Sequence, residues 1–227
     1  MNPAATILVG LMLLSIPFRN LLGQDEPTDD PRANVNLGMP ISAPLNPTAQ
    51  VMHLGLGTTI GSGYNFTRRH AVIGEFMWNN LYPTNGALGP LRLVTHNADL
   101  SAGGNLFAFT ANYRFELRGE ALGTYLIAGG GWYYRNAHIS QIFVTGSSIT
   151  CNPTWLWWGF SCESGLVGAE QTIAHTSSNA LGANGGIGFT ARVGDAPYRV
   201  YVEARYHYAP SKGISTQLVA VTVGIRY

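Results

Sequence analysis

Charged residues make up only 11% of this 227-residue chain, and the formal net charge is +1. So dilute and balanced a charge excludes the long-range attraction that draws proteins to nucleic acid, and there is no acidic or basic tail. No apolar run reaches the roughly 20 residues that a membrane-spanning helix requires. The nearest approach is Ala4 to Ile16, followed by Pro17, Phe18 and Arg19. Its length suits the apolar core of a secretory signal peptide better than a retained helical anchor. Only two cysteines occur, Cys151 and Cys162, and neither has a Cys or His at metal-ligand spacing. Catalytic signatures are missing too: no Gly-x-Ser-x-Gly elbow, no His-Glu-x-x-His and no phosphate-binding Gly-Lys-Ser/Thr. Glu203 and His207 lie four residues apart on one extended segment, about 13 Å at strand rise, too far for a directly bonded acid–base pair. These absences predict a non-enzymatic protein with no cofactor, no metal and no nucleic-acid partner.

What abounds is glycine, at 28 residues, together with two-residue alternation. Residues 1–23 read as a signal peptide, with cleavage near Gly23–Gln24, and 24–33 as a polar, proline-containing lead-in. From 34 to 227 eight segments carry the half-buried strand signature. They are Asn34–Ile41, Val51–Phe66, Ala71–Asn80, Gly103–Leu117, Thr124–Ser140, Ala180–Val193, Tyr198–Tyr208 and Gln217–Tyr227. The first is short, and Pro40 is awkward inside it. No helical segment is evident after the signal region. Connections after the second, fourth and sixth strands are short, while those after the third and fifth are long. Transmembrane barrels show this alternation of short periplasmic turns and long external loops. The sequence therefore predicts an all-β, eight-stranded antiparallel up-and-down transmembrane barrel.

The two faces differ sharply. One collects Leu, Val, Ile, Phe and Trp with almost no charge. The other gathers His53, Glu75, Arg114, Glu116, Arg135, Arg192, Arg199, Glu203, Arg205, His207 and Arg226. A soluble ligand-carrying barrel would reverse that pattern, and a soluble sandwich would need an unusually aromatic surface. With the apolar face toward lipid, the polar side chains fill a narrow lumen as a paired plug, since unpaired buried charge is costly. Inward glycines are expected to make room for the arginines. An exported chain meets an oxidising compartment, where Cys151 and Cys162 would pair. The loop from Phe143 to Ser178 would then display Trp155, Trp157, Trp158 and Phe160. These aromatics suit either a lid over the barrel mouth or a surface-ligand patch.

Gly63-Tyr64-Asn65-Phe66-Thr67-Arg68-Arg69 with Gly74-Glu75-Phe76, Ala128-Gly129-Gly130-Gly131-Trp132 and the ending Val223-Gly224-Ile225-Arg226-Tyr227 resemble small bacterial outer-membrane barrels of the OmpA/OmpX-like superfamily. The resemblance covers about residues 34–227. It implies the barrel fold, a bacterial outer-membrane location with lipid as the surrounding partner, and Tyr227 as part of the signal read by the barrel-assembly machinery. It implies no activity. The expected role is envelope structure and surface contact, with a narrow diffusion channel or a lipid-modifying barrel enzyme as alternatives.

Overall fold

A computed structural model describes residues 32–67, 69–95, 100–118, 121–153, 160–194, 196–211, 213 and 215–227. The signal-peptide and lead-in expectations for residues 1–31 lie outside the described residues. Eight strands form a closed barrel in chain order. They are β1 (Ala33–Pro44), β2 (Met52–Asn65), β3 (His70–Pro83), β4 (Leu100–Arg118), β5 (Leu122–Pro153), β6 (Phe160–Arg192), β7 (Arg199–Ala209) and β8 (Thr216–Arg226). Every neighbouring pair is antiparallel, and β1 closes the ring on β8. Val35 and Tyr227 exchange both backbone hydrogen bonds at that seam, at 3.2 and 2.9 Å.

The alternation read from the sequence is the alternation of the fold. In β1, Val35, Leu37, Met39 and Ile41 face outward while Asn34, Asn36, Gly38, Pro40 and Ser42 are buried. Pro40 is accommodated because the β1–β2 ladder skips Met39 and Pro40, then resumes in the same register at Ile41↔Leu56. A proline has no N–H to give to a ladder, so the lapse falls where one is missing anyway. The turn between β2 and β3 is held by Thr67, whose hydroxyl accepts from the backbone N–H groups of Arg69 and His70 at 3.2 and 3.1 Å.

Two connections depart from expectation. Between β3 and β4 lies a helix, α1 (Asn85–Thr95). Thr84 starts it by accepting from the Ala87 N–H at 3.2 Å, a side-chain cap of the usual kind. Gly86, Gly89 and Pro90 hide it from a propensity reading. The segment expected as a loop from Phe143 to Ser178 is instead largely strand. β5 and β6 continue as a paired ribbon to Pro153↔Phe160, whereas β4 leaves β5 at Leu100↔Gln141 and β7 leaves β6 at Ala183↔Tyr208. A two-stranded ribbon therefore projects beyond the barrel.

Candidate functional site

Charged side chains point into the lumen and pair there. Arg205 on β7 reaches Glu75 on β3 at 2.6 Å and Glu203 on its own strand at 2.5 Å. Asn36 donates to Glu75 at 3.3 Å, and the Tyr125 hydroxyl donates to Glu203 at 2.9 Å. A second cluster centres on Glu116, which Arg114 and Arg226 approach at 3.4 and 3.5 Å. The guanidinium of Arg226 stacks 4.6 Å from the Tyr125 ring centre and 5.2 Å from that of Tyr201. The clusters pair three guanidiniums with three carboxylates, all buried. Such balance suits a desolvated interior, where a surplus charge of either sign would be expensive.

Uncharged bonds extend the network. Asn184 donates to Asn112 at 3.0 Å, Ser42 to Asn79 at 2.9 Å, and Tyr133 bonds Nδ1 of His207 at 2.9 Å. Beside this polar filling stands an apolar layer that the sequence reading missed. Met77, Leu81, Leu106, Tyr133, Ala209 and Leu218 pack together across the lumen. They sit at inward positions of five strands, and the signal was present. Leu81, Leu106 and Leu218 keep inward parity but are apolar.

The outward positions of the barrel strands carry no Asp, Glu, Lys or Arg among the described residues. Phe76, Phe109, Trp132, Tyr134 and Phe107 form a linked aromatic ladder there, with ring centres 4.7 to 6.3 Å apart. No protein-family model matches the chain, and no curated protein matches it. Solved structures do. Neisserial surface protein A aligns at 12% identity over 86% of this chain and 96% of that one, with a TM-score of 0.50. A major outer-membrane protein of Thermus thermophilus aligns at 11% identity over 86% and 98%, with a TM-score of 0.51. The attachment invasion locus protein Ail of Yersinia pestis aligns at 13% identity over 86% and 97%, with a TM-score of 0.47.

The fold is that of a small outer-membrane β-barrel. In such a barrel the charge-free belt is the surface that meets lipid, and an interior of eight strands is just wide enough for side chains to fill.

Within the barrel, Glu75, Arg114, Glu116, Glu203, Arg205, His207 and Arg226 are all buried on inward-facing positions. His207 and Glu203 belong to different bonds, the first to Tyr133 and the second to Arg205 and Tyr125. The remaining four differ in placement. His53 is exposed, because a register shift between Met52 and Gly55 turns the strand and gives the inward place to Met52. Arg192 has inward parity but sits at the end of β6 and is exposed. Arg199 is buried at the start of β7 and donates to the Ala121 carbonyl at 3.3 Å. Arg135 is half-buried and apart from both charged clusters, bonded to Ser178, Ser211 and Thr216.

Several inward glycines make room for tyrosines, and none has an arginine side chain among its nearest atoms. A Cβ on Gly188 would overlap the Tyr125 ring, and one on Gly38 or Gly224 would overlap Tyr201. These two rings are the surfaces on which Arg226 rests. The glycines therefore position the arginine indirectly.

Trp155, Trp157 and Trp158 lie outside the described residues, as does the side chain of Phe160. The side chains of Cys151 and Cys162 are likewise outside them, but their backbones are directly opposite partners in the β5–β6 ladder.

Proposed function

We propose that the protein is a non-catalytic outer-membrane barrel whose lumen is closed to solutes, and whose exposed ribbon makes its surface contacts. The observation that carries this reading is the Glu75–Arg205–Glu203 triad, which spans the lumen with contacts of 2.6 and 2.5 Å. Charged groups so paired have little freedom to part for a hydrated ion. The apolar layer of Leu81, Leu106 and Leu218 adds a second obstruction. Against catalysis stands the engagement of His207, Glu203 and Glu75 within the lumen, away from the lipid a lipid-modifying enzyme must reach.

The test is conductance. Purified protein in a planar bilayer is expected to give no steady single-channel current, while insertion is followed in parallel by heat-modifiable gel migration. Discrete openings in a fully heat-modifiable sample would establish the narrow channel instead.

The ribbon contacts rest on a tether. Directly opposed residues of antiparallel strands stand about 4.5 or 5.5 Å apart at Cα, according to pair type, within the span that a disulfide bridges. The Cys151↔Cys162 register supports that pairing. Both thiols are expected to resist alkylation until the unfolded protein is reduced. Full labelling without reductant would remove the tether, and with it the constraint on residues 152–161. Lipid and the assembly machinery acting through the β8 end at Tyr227 complete the proposed partners, and the ribbon tip offers the surface for a ligand.

A further inference from the structure

Two histidines stand opposite each other near the base of the ribbon. His138 on β5 and His175 on β6 are direct partners in the antiparallel ladder, and both are exposed. Directly opposed residues of antiparallel strands project from the same face of the sheet, with Cβ atoms about 4.5–5.5 Å apart. A tetrahedral ion bound at about 2.0–2.1 Å needs its two imidazole nitrogens roughly 3.3 Å from each other. Two rings that start at that Cβ separation and lean together meet the requirement. The residues are far apart in sequence, so no spacing motif announces the pair.

The surroundings suit a cation and leave it accessible. No Lys or Arg occurs from Asn136 to Ala191, whereas Glu163 and Glu170 do. β7 leaves β6 at Ala183↔Tyr208, so it does not cover the edge of β6 beside His175. On the other side, β4 places Gly103 opposite His138. The His138 ring lies against this glycine, where a Cβ would stand 3.1 Å from the ring's Cε1. With no side chain at 103, the ring is free to turn from that resting place toward His175, a rotamer change of the kind exposed side chains make in picoseconds to nanoseconds. Among the described residues no third histidine, cysteine or carboxylate joins the two. The chain therefore supplies two ligands and water the others, so the ion stays exchangeable. Imidazole suits zinc, copper and nickel, whereas magnesium and calcium take oxygen ligands.

We propose that His138 and His175 form a two-imidazole site for a divalent transition-metal ion, which clips β5 to β6 at the base of the ribbon. Affinity should follow the usual order for nitrogen ligands, with Cu²⁺ tightest and Mn²⁺ weakest of the first-row ions. The site depends on the register of the ribbon and not on whether the lumen conducts.

The experiment uses the untagged, refolded barrel in lipid nanodiscs, with histidine rings carrying ¹³C, titrated with Zn²⁺ and separately with Mg²⁺. Ring signals are assigned from single His→Ala variants. The His138 and His175 signals are expected to move together and to saturate at one zinc per barrel, while those of His53 and His70 stay put. Magnesium should move none of them. His138→Ala and His175→Ala should each weaken zinc binding at least tenfold. Both positions are exposed, so heat-modifiable migration should be retained and the loss read as loss of a ligand, not of the fold. Four results would each overturn the site: one of the two rings moving alone, wild-type affinity in either single variant, loss of affinity in His53→Ala instead, or the same shifts with magnesium.

Discussion

Arg205→Leu is expected to destabilise the folded barrel by about 3–5 kcal/mol, the cost of leaving a buried charge without its partner. The size follows from what stays behind. Glu75 and Glu203 share one guanidinium, at 2.6 and 2.5 Å, and both are buried. Without it, two carboxylates face each other in a desolvated lumen. The remaining donors, Asn36 and the Tyr125 hydroxyl, are neutral and cannot offset that repulsion. Equilibrium urea unfolding, followed by tryptophan fluorescence in liposomes, would read the loss as a lower midpoint with unchanged slope. The informative companion is the triple replacement Glu75→Gln, Glu203→Gln, Arg205→Met, which removes charge from all three positions. It should recover most of the stability, because a buried ion cluster is often no better than a neutral filling of similar volume. If Arg205→Leu unfolds at the wild-type midpoint, water reaches these side chains and the lumen is not closed.

Most of the barrel was legible from period two alone. Val200, Val202, Ala204, Tyr206 and Tyr208 alternate with Arg199, Tyr201, Glu203, Arg205 and His207, and the fold keeps every one of those assignments. Alternation is legible because lipid and lumen impose opposite chemistry on the two faces. Where that asymmetry ends, so does the signal. The ribbon beyond Gln141 is paired on neither outer edge by β4 or β7, and its strands carry no continuous apolar stripe and read as a loop. His53 shows a second limit. A single-residue register shift between Met52 and Gly55 inverts parity locally, and nothing in the composition of Met52-His53-Leu54 announces it. The third limit is contact specificity. Alternation placed Arg226 inside, but did not announce the stacking of that arginine on a ring that needs a glycine opposite. Arg135 was assigned to the lumen by parity. Its separation from the charged clusters depends on height along the barrel, which a two-residue period does not encode.

The lipid-facing assignment makes its own quantitative demand. Val221, the central residue of β8, points outward and is 42% exposed. Val221→Arg is expected to cost roughly 2–4 kcal/mol if that surface meets hydrocarbon near the midplane. Ile149 on the ribbon is more exposed, at 74%, yet it lies beyond the point where β4 leaves β5. Ile149→Arg should change stability by no more than about 0.5 kcal/mol, as surface substitutions in water usually do. The pair separates lipid from water within one molecule, using the same new side chain at two apolar sites. Unfolding from liposomes by urea supplies both values. Equal small effects would mean that the apolar belt of this barrel is solvated. A large effect at both positions would place the ribbon in the bilayer as well, and would leave its tip unavailable for surface contacts.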